Sequence, residues 1–294
     1  MIIDLMIENI SLNDALKKAS SNDIIYLDNK DYFEKVYVNI PNLTIKGREN
    51  SRIIFNANNG SIIPEYLGGN GIKTFGTSGS ATLTITEEAS NFSLIDIVVE
   101  NSYISLTGDK MGRQAVAFKC EASGLRVNNC RFIGNQDTFY IDYGSNNIVT
   151  NSYIEGDVDF IFGSADCLFI NCDIFAKGTF RSYYTAPNTY CYNKIGLVFY
   201  KSRFNKESTT TTFLGRWWFP SVFRAKIIPK VSFIDCEFSK DINLDVIQMH
   251  KEDLERGDYS IYNSFINGLR IVNINESLYL EIIKNVGGIL DKFS

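Results

Sequence analysis

The sequence has a single histidine, His250, in 294 residues. This excludes a histidine-rich metal site, and a lone histidine outside any motif argues against a Ser-His-Asp triad. The G-x-S-x-G phrase of α/β-hydrolase nucleophiles is also missing. If the chain is a hydrolase, it must therefore work with carboxylates.

The chain also lacks an excess of positive charge and any long apolar run. It carries 29 Lys+Arg against 34 Asp+Glu, for a net charge of −5, so no nucleic-acid partner is expected. No apolar run approaches the roughly 18 residues of a membrane helix, so no membrane partner is expected either. The first residues lack a signal peptide's basic and apolar regions. The chain as given is expected in the cytoplasm, or outside the cell if a signal has been removed.

The six cysteines form no C-x-x-C pair. Cys130, Cys172 and Cys236 each follow Asn or Asp within nearly identical strand-like phrases. We expect the cysteines to be buried, reduced thiols that pack as small hydrophobic groups.

A short phrase recurs along the chain: an apolar residue, Asn or Asp, Cys or Ser, any residue, and an apolar residue. Successive Cys or Ser positions at 130, 152, 172, 202, 236 and 264 are separated by 22, 20, 30, 34 and 28 residues. A unit of 20–22 residues with insertions is typical of a solenoid. Because the segments are short and rich in Val, Ile, Phe and Tyr, the prediction is an all-β fold, a right-handed parallel β-helix. Residues one coil apart then lie about 4.8 Å from each other.

The two ends differ from the middle. Residues 11–19 predict a short helix with Ser11 as its N-cap, covering the first coil. Residues 276–290 have apolar side chains at near-helical spacing, despite Gly287 and Gly288, and predict a tail helix. We expect one β-helix domain over residues 1–294, with an N-terminal cap at about 1–22 and a C-terminal tail at about 270–294.

Four polar side chains repeat at the spacing of one coil. Gln114 and Gln136 are 22 residues apart, and so are Asp137 and Asp159. On a β-helix this predicts a patch of two amides and two carboxylates. Such close carboxylates do not both ionise cheaply, and the Arg216 fork is the best candidate to hold one of them charged. One carboxylate could then act as nucleophile or base and the other as proton donor, with the amides binding an oxyanion.

Two other interpretations fit the same spacing. Solenoids also stack Asn, Gln and Asp in columns that only form hydrogen bonds. Asp157 and Asp159 share one face of a strand, which equally suggests a glycosidase-like carboxylate cluster.

Four phrases of the chain resemble those of the pectin methylesterases, carbohydrate esterases built on a right-handed parallel β-helix. The family patterns are close to G-Y-Q-D-T-L-Y, V-D-F-I-F-G, Q-A-V-A and L-G-R-P-W. The corresponding stretches here are residues 134–140, 158–163, 114–117 and 214–218. The resemblance covers roughly residues 10–270. Asn135 replaces the family's aromatic residue, and Trp217 replaces its proline.

The resemblance implies a role for each matching residue. Asp159 corresponds to the nucleophile and Asp137 to the general acid and base. Gln114 and Gln136 correspond to the oxyanion-hole amides, and Arg216 to the arginine that orients the nucleophile. The positions that correspond to substrate contacts are Trp218, Thr77, Tyr140 and Phe162.

The implied activity is that of a pectinesterase, which releases methanol from methyl-esterified galacturonate through an acyl-enzyme intermediate. The implied substrates are methyl-esterified homogalacturonan or oligogalacturonides, with no metal or organic cofactor, and the chain is expected to be a monomer. The alternatives are a β-helix polysaccharide hydrolase or lyase, and a catalytically silent carbohydrate-binding solenoid.

Overall fold

The computed structural model describes residues 1–105, 113–178, 181–220, 224–247 and 257–293, and His250 lies outside them. The helices are α1 Leu5–Glu8, α2 Leu12–Lys18, α3 Gly76–Gly79 and α4 Glu276–Leu290, with 3₁₀ turns at Glu65–Leu67, Arg224–Lys226 and Asp291–Phe293. The strands, in chain order, are β1 Ile2–Asp4, β2 Ile24–Tyr26, β3 Asp31–Tyr32, β4 Val36–Val38, β5 Thr44–Lys46, β6 Arg52–Phe55, β7 Leu83–Ile85, β8 Ser93–Ile95, β9 Val98–Asn101, β10 Phe118–Cys120, β11 Arg126–Asn128, β12 Arg131–Ile133, β13 Phe139–Ile141, β14 Asn147–Thr150, β15 Tyr153–Gly156, β16 Ile161–Gly163, β17 Cys167–Ile170, β18 Asp173–Ala176, β19 Arg181–Pro187, β20 Leu197–Tyr200, β21 Arg203–Lys206, β22 Thr211–Arg216, β23 Lys230–Ile234, β24 Glu237–Phe238, β25 Ile242–Ile247, β26 Asp258–Ile266 and β27 Leu269–Asn273.

These strands stack as the three faces of a parallel β-helix, which confirms the predicted fold class. The first face, called the cleft sheet below, runs β4, β7, β10, β13, β16, β19, β22, β25. The second face runs from β1 through β2, β5, β8, β11, β14, β17, β20 and β23 to β26. The third runs β3, β6, β9, β12, β15, β18, β21, β24, and β26 joins it as well. Only the pairing of β26 with β27 is antiparallel among the described strands.

The recurring phrase marks the bend between the second and third faces. There a backbone N–H at the Cys position donates to the Ser hydroxyl of the next coil, as in Cys130 to Ser152 at 3.1 Å. Cys172 donates in the same way to Ser202 at 3.1 Å. The repeat read from the sequence is therefore a column of stacked hydrogen bonds, and it fixes the register between coils.

The interior is filled by rows of side chains, one from each coil. Phe169, Phe199 and Phe233 form one such row on the second face, with successive ring centroids 4.7 and 5.4 Å apart. Phe139 of the cleft sheet contacts this row at Phe169, with ring centroids 5.7 Å apart. Each is fully buried, which stabilises the fold by about 1.5–3 kcal/mol per side chain. This stack holds the cleft sheet rigidly against the other two faces.

The cysteines follow the prediction with one exception. Cys120, Cys130, Cys167, Cys172 and Cys236 are buried free thiols, and burial raises the pKa of the Cys130 thiol to about 12. Cys191 is exposed, so the expectation was wrong for that residue. It lies in the loop after β19 and outside the repeated phrase.

Both ends of the solenoid carry a helix. Ser11 caps α2 by accepting a hydrogen bond from the Asp14 N–H at 3.0 Å, and β1 adds a strand to the expected cap by pairing with β2. At the other end α4 continues through both glycines and packs Leu278 and Ile282 against the second face. No helix of the described ranges is long and apolar enough to span a membrane.

Candidate active site

The register between coils brings the four predicted polar side chains together on the cleft sheet. The Ala115 N–H donates to the Gln136 carbonyl at 3.0 Å, and the Asp137 N–H donates to the Val158 carbonyl at 3.1 Å. In a parallel ladder this pattern aligns Gln114 with Gln136, and Asp137 with Asp159. The one-coil arithmetic of the sequence is therefore correct at these positions.

The same coil contains an irregularity that the arithmetic does not reveal. The N–H groups of Ala117 and Phe118 both donate to the carbonyl of Thr138, at 2.9 and 3.1 Å. The register then changes by one residue, so that Phe118 pairs with Phe139. This bulge ends the polar segment and turns the following strand into the core.

The two aspartates share an uncommon backbone conformation. Asp137 has φ 67° and Asp159 has φ 54°, both in the left-handed region. Asp and Asn tolerate this region better than most other non-glycine residues. Each aspartate lies two residues before its strand, β13 or β16, and lines the open cleft.

Arg216, at the end of β22, binds Asp159 with both arms of its fork. Its Nε donates to Asp159 Oδ1 at 2.6 Å, and its Nη2 donates to Oδ2. The guanidinium also lies over the Tyr183 ring, 4.8 Å from the centroid. Arg216 is thus held in place on two sides, and it fixes the orientation of the Asp159 carboxylate.

The electrostatic environments of the two carboxyls are different. Burial, followed by the negative charge of Asp159, raises the pKa of Asp137 well above the usual aspartate range. Burial also raises the pKa of Asp159, but the hydrogen bond and charge of Arg216 oppose that shift. The arrangement favours a protonated Asp137 beside an ionised Asp159.

The two glutamines border the pair with their amide groups. The Oε1 atom of Gln114 accepts from the Arg113 N–H at 3.3 Å, which directs the NH₂ group away from the backbone. The side chain of Gln136 lies beside the Asp137 carboxyl and opposes the rise of its pKa. Both amides are half-buried at the cleft, within reach of a group bound between the aspartates.

All nine predicted site residues line one cavity of about 430 Å³. Asp157, which the glycosidase-like alternative groups with Asp159, is not among its lining residues. The cavity is lined by Thr77, Ser78, Gln114, Gln136, Asp137, Tyr140, Asp159, Phe162, Ala186, Arg216 and Trp218.

An aromatic wall closes one side of this cavity. Tyr140 and Phe162 are stacked with ring centroids 4.2 Å apart, and Trp218 contacts Phe162 edge-on at 5.7 Å. Trp218 remains 36% exposed, whereas its neighbour Trp217 is only 3% exposed and belongs to the core. Trp217 therefore fills the interior, while Arg216 still reaches Asp159.

Two lining residues, Ser78 and Ala186, were missed as site residues. Ser78 directly follows the predicted contact Thr77, and Ala186 pairs with the predicted contact Phe162 on the neighbouring strand, so position was the only signal. Asn135, which replaces the family's aromatic residue, donates from Nδ2 to the Tyr103 carbonyl at 2.7 Å. The substitution exchanges a possible stacking surface for a hydrogen bond between coils.

Fold and site together define a parallel β-helix protein with an arginine-paired aspartate pair in an open cleft. The sequence model of the family described as Pectinesterase matches residues 6–235. The chain therefore belongs to the pectinesterase family.

Individual relatives agree with this assignment. The chain is 30% identical over 240 residues to pectinesterase A of Dickeya chrysanthemi, covering 72% of this chain and 63% of that protein. It is similar to the solved pectin methylesterase of Yersinia enterocolitica, with 30% identity, a TM-score of 0.75 and coverage of 91% and 92%. A pectin methylesterase solved with a hexasaccharide matches at a TM-score of 0.78 and 23% identity, over 95% and 94% of the two chains, and shows the shared fold. The chain spans less than two thirds of the length of the curated relatives it matches first.

Proposed function

We propose that this protein is a carboxylic-ester hydrolase that demethylates methyl-esterified galacturonate units of pectin or pectic oligomers and releases methanol. Family membership supports the reaction class. The observation that carries the proposal is the pairing of Asp159 with Arg216 beside the buried Asp137, in a cleft bordered by Gln114 and Gln136. This arrangement supplies a charged nucleophile and a proton donor without a histidine.

In the first step, an oxygen of the Asp159 carboxylate attacks the carbonyl carbon of the methyl ester. The negative charge that develops on the carbonyl oxygen is stabilised by the NH₂ groups of Gln114 and Gln136. Collapse of this intermediate breaks the bond to the methoxy oxygen, which takes the proton of Asp137 and leaves as methanol. An anhydride between Asp159 and the galacturonate carbonyl remains.

In the second step, Asp137 is an ionised base. It takes a proton from water, whose oxygen attacks the galacturonate carbonyl carbon and forms a second oxyanion. Breakdown of this intermediate returns Asp159 as a carboxylate and leaves Asp137 protonated for the next cycle. The released galacturonic acid ionises in solution, which accounts for the remaining proton.

The cleft also supports a preference among substrates. Its aromatic wall, with the exposed ring of Trp218, suits the apolar face of a sugar. The net charge of −5 repels a fully demethylated polymer and favours methylated stretches. One chain supplies every residue of the proposed reaction, which supports action as a monomer.

Incubation with methylated pectin tests the proposal. We expect methanol to be released without chain shortening, and Asp159→Asn to abolish the release. A matched control is Asp235→Asn, which changes another left-handed aspartate (φ 52°) far from the cavity. New reducing ends or unsaturated products would instead identify a polymer-cleaving hydrolase or lyase. No release from the parent protein would reject the esterase and favour a silent solenoid.

A further inference from the structure

Lys35 is a buried cation at the side of the cleft that the reaction does not use. It lies just before β4 and is 5% exposed. Its Nζ donates to the Ala81 carbonyl, and it forms no ion pair with a carboxylate among the described residues. A buried ammonium without an acidic partner lowers the stability of a fold. Its presence therefore calls for a reason other than packing.

Three aromatic rings, rather than a carboxylate, surround the ammonium group of Lys35. Nζ of Lys35 lies 5.1 Å from the ring centroid of Tyr37, 5.5 Å from that of Phe55 and 5.1 Å from that of Phe75. Phe55 and Phe75 meet edge-to-face at 6.0 Å. Ring faces attract a cation, so a charged Lys35 draws these side chains together.

These contacts hold both flanks of the segment that forms one wall of the cleft. Phe75 directly precedes α3, and Ala81 follows it. Between them, Thr77 and Ser78 line the cavity. Ala81 itself packs in a small buried cluster with Tyr140, under the aromatic wall. Lys35 is thus the common contact of the two ends of this segment.

Other anchors keep the segment folded without Lys35. Asn101 donates from Nδ2 to the carbonyls of Ala57, Ser80 and Val116, at 2.9, 3.1 and 2.9 Å. The Val116 N–H donates to Ser80 Oγ at 3.1 Å. Loss of Lys35 should therefore loosen the wall locally rather than unfold the coil.

Burial and one neighbouring charge lower the pKa of Lys35. Burial, and after it the positive charge of Lys119 on β10, lowers the pKa of Lys35 to about 7. Lys119 is itself paired with Glu121 and donates to Ser78 Oγ at 2.5 Å. The Tyr37 phenol is the other titratable group facing Lys35, whereas Phe55 and Phe75 carry no charge.

The direction of the stability effect follows from this lowered pKa. An unfolded lysine titrates at about 10.4. Between about pH 7 and that value the folded protein binds fewer protons than the unfolded chain, so the contribution of Lys35 to stability rises with pH. Below pH 7 the full penalty of the buried charge is present.

We propose that Lys35 is a positioning residue for the ester hydrolysis: through Phe75 and Ala81 it sets the place of Thr77 and Ser78 against the bound substrate. It does not touch the substrate. The proposal rests on the proposed function, because Thr77 and Ser78 matter only if that cavity binds the ester. The charged form holds Phe75 more strongly than the neutral form does.

Kinetics of Lys35→Met and Lys35→Arg on methylated pectin test the role. We expect Lys35→Met to raise KM by about tenfold with a smaller change in kcat, since a displaced wall weakens binding. Its unfolding midpoint below pH 7 should equal or exceed that of the parent, because the buried charge is gone. In the parent, KM should rise as the pH passes 7, whereas Lys35→Arg, always charged, should keep a low KM across that range.

Lys230→Met is the matched control. Lys230 also donates to backbone carbonyls, those of Asn193 and Lys194 at 2.8 and 3.3 Å, but it lies away from the cavity. Its kinetics should match the parent. Unchanged KM in Lys35→Met, or a raised KM accompanied by a lowered unfolding midpoint, would overturn the proposal and leave Lys35 a structural residue.

Hydrogen exchange separates this proposal from the proposed function. In Lys35→Met, the amides of residues 75–81 should exchange at least about tenfold faster, with the rest of the cleft sheet unchanged. This readout needs no activity. If Lys35→Met exchanges faster but the parent releases no methanol, both the proposed reaction and the positioning role of Lys35 in it are rejected. Unchanged exchange with normal parent activity would reject Lys35 alone.

Discussion

Two columns of residues with left-handed backbone conformation run along this solenoid, and their side chains interact in different ways. The first, called the asparagine ladder here, lies between the second and third faces, with φ between 45° and 59°. The second is the cleft pair, Asp137 and Asp159, on the first face. The ladder comprises Asp96, Asn129, Asn151, Asn171, Asp235 and Asn263.

The columns differ in how their side chains are satisfied. In the ladder, an amide of one coil donates to its neighbour, as from Asn171 to Asn151 at 2.7 Å and from Asn263 to Asp235 at 2.6 Å. In the cleft pair, Arg216 binds one carboxylate, and burial raises the pKa of the other. The ladder is the plain hydrogen-bonded column that solenoids often contain, whereas the cleft pair holds two carboxyls in different electrostatic environments.

Cavity size does not distinguish the two columns. A cavity of about 550 Å³ lies along the ladder and is larger than the cleft cavity of about 430 Å³. The difference lies in charge and burial. The same backbone geometry becomes a candidate active site only where two carboxyls are brought together out of water and an arginine binds one of them.

The largest contrast is expected for Asp159→Asn against Asp235→Asn. Both changes keep the shape of the side chain and suit the left-handed backbone. Loss of the proposed nucleophile should lower kcat by about 10⁴-fold or more, as for other nucleophile deletions. Asp235→Asn should leave kcat within about twofold, since this half-buried ladder position does not line the cleft cavity. Methanol release measures both, and equal losses would contradict the division between the columns.

Asp137→Asn should lower kcat by about 10²–10⁴-fold, the usual range for a general acid. It should also change the pH dependence of stability. Because the folded pKa of Asp137 is raised, the folded state holds a proton that the unfolded chain releases, and stability falls as pH rises through that window.

Thermal unfolding from acidic to neutral pH checks the second expectation. Asp137→Asn should flatten the fall and raise the midpoint at neutral pH relative to the parent. An unchanged profile would show that Asp137 is ionised in the folded protein at neutral pH.

Trp218→Ala should have a smaller effect, confined mainly to binding. The Trp218 ring is 36% exposed, and removing it should weaken apolar contact with the substrate by about 1–2 kcal/mol. We therefore expect KM to rise roughly tenfold. Trp218→Phe should fall between the parent and Ala. Steady-state kinetics on methylated oligomers provide the comparison, and a fall in kcat at constant KM would contradict the assignment of Trp218 to binding.

Asn171→Ala should have the smallest effect on activity and the clearest effect on stability. The variant loses the hydrogen bond to Asn151 and places alanine in a left-handed conformation at φ 52°. Together these effects should lower the free energy of unfolding by about 1–3 kcal/mol. Asn171→Gly should recover the backbone part, because glycine accepts that conformation. Urea unfolding gives both values. Equal losses in the two variants would assign the whole effect to the hydrogen bond.

The fold and the cleft pair could be predicted because both depend on spacing. A repeat of 20–22 residues fixes which residues become neighbours on adjacent coils, and Asp137 and Asp159 lie one coil apart. The ladder and the cleft pair were equivalent at that level, since both are stacked polar residues. The family resemblance, rather than the spacing, separated them.

Features that depend on burial could not be predicted from the sequence. Nothing in the spacing reveals the bulge at Ala117 and Phe118, which requires two N–H groups to share one carbonyl. Lys35 stands in a surface-like phrase between Glu34 and Val36, and only packing reveals its three rings. The exposure of Cys191 could not be predicted, because composition does not record which loop leaves the stack of coils.

The proposed reaction requires two adjacent aspartates with the same backbone conformation to carry different protonation states. Infrared difference spectroscopy at neutral pH measures this directly, through the C=O stretch of a protonated carboxyl. We expect such a band in the parent, its loss in Asp137→Asn, and its persistence in Asp159→Asn and Asp235→Asn. A parent without the band, or a band that disappears in Asp159→Asn and remains in Asp137→Asn, would contradict the claim.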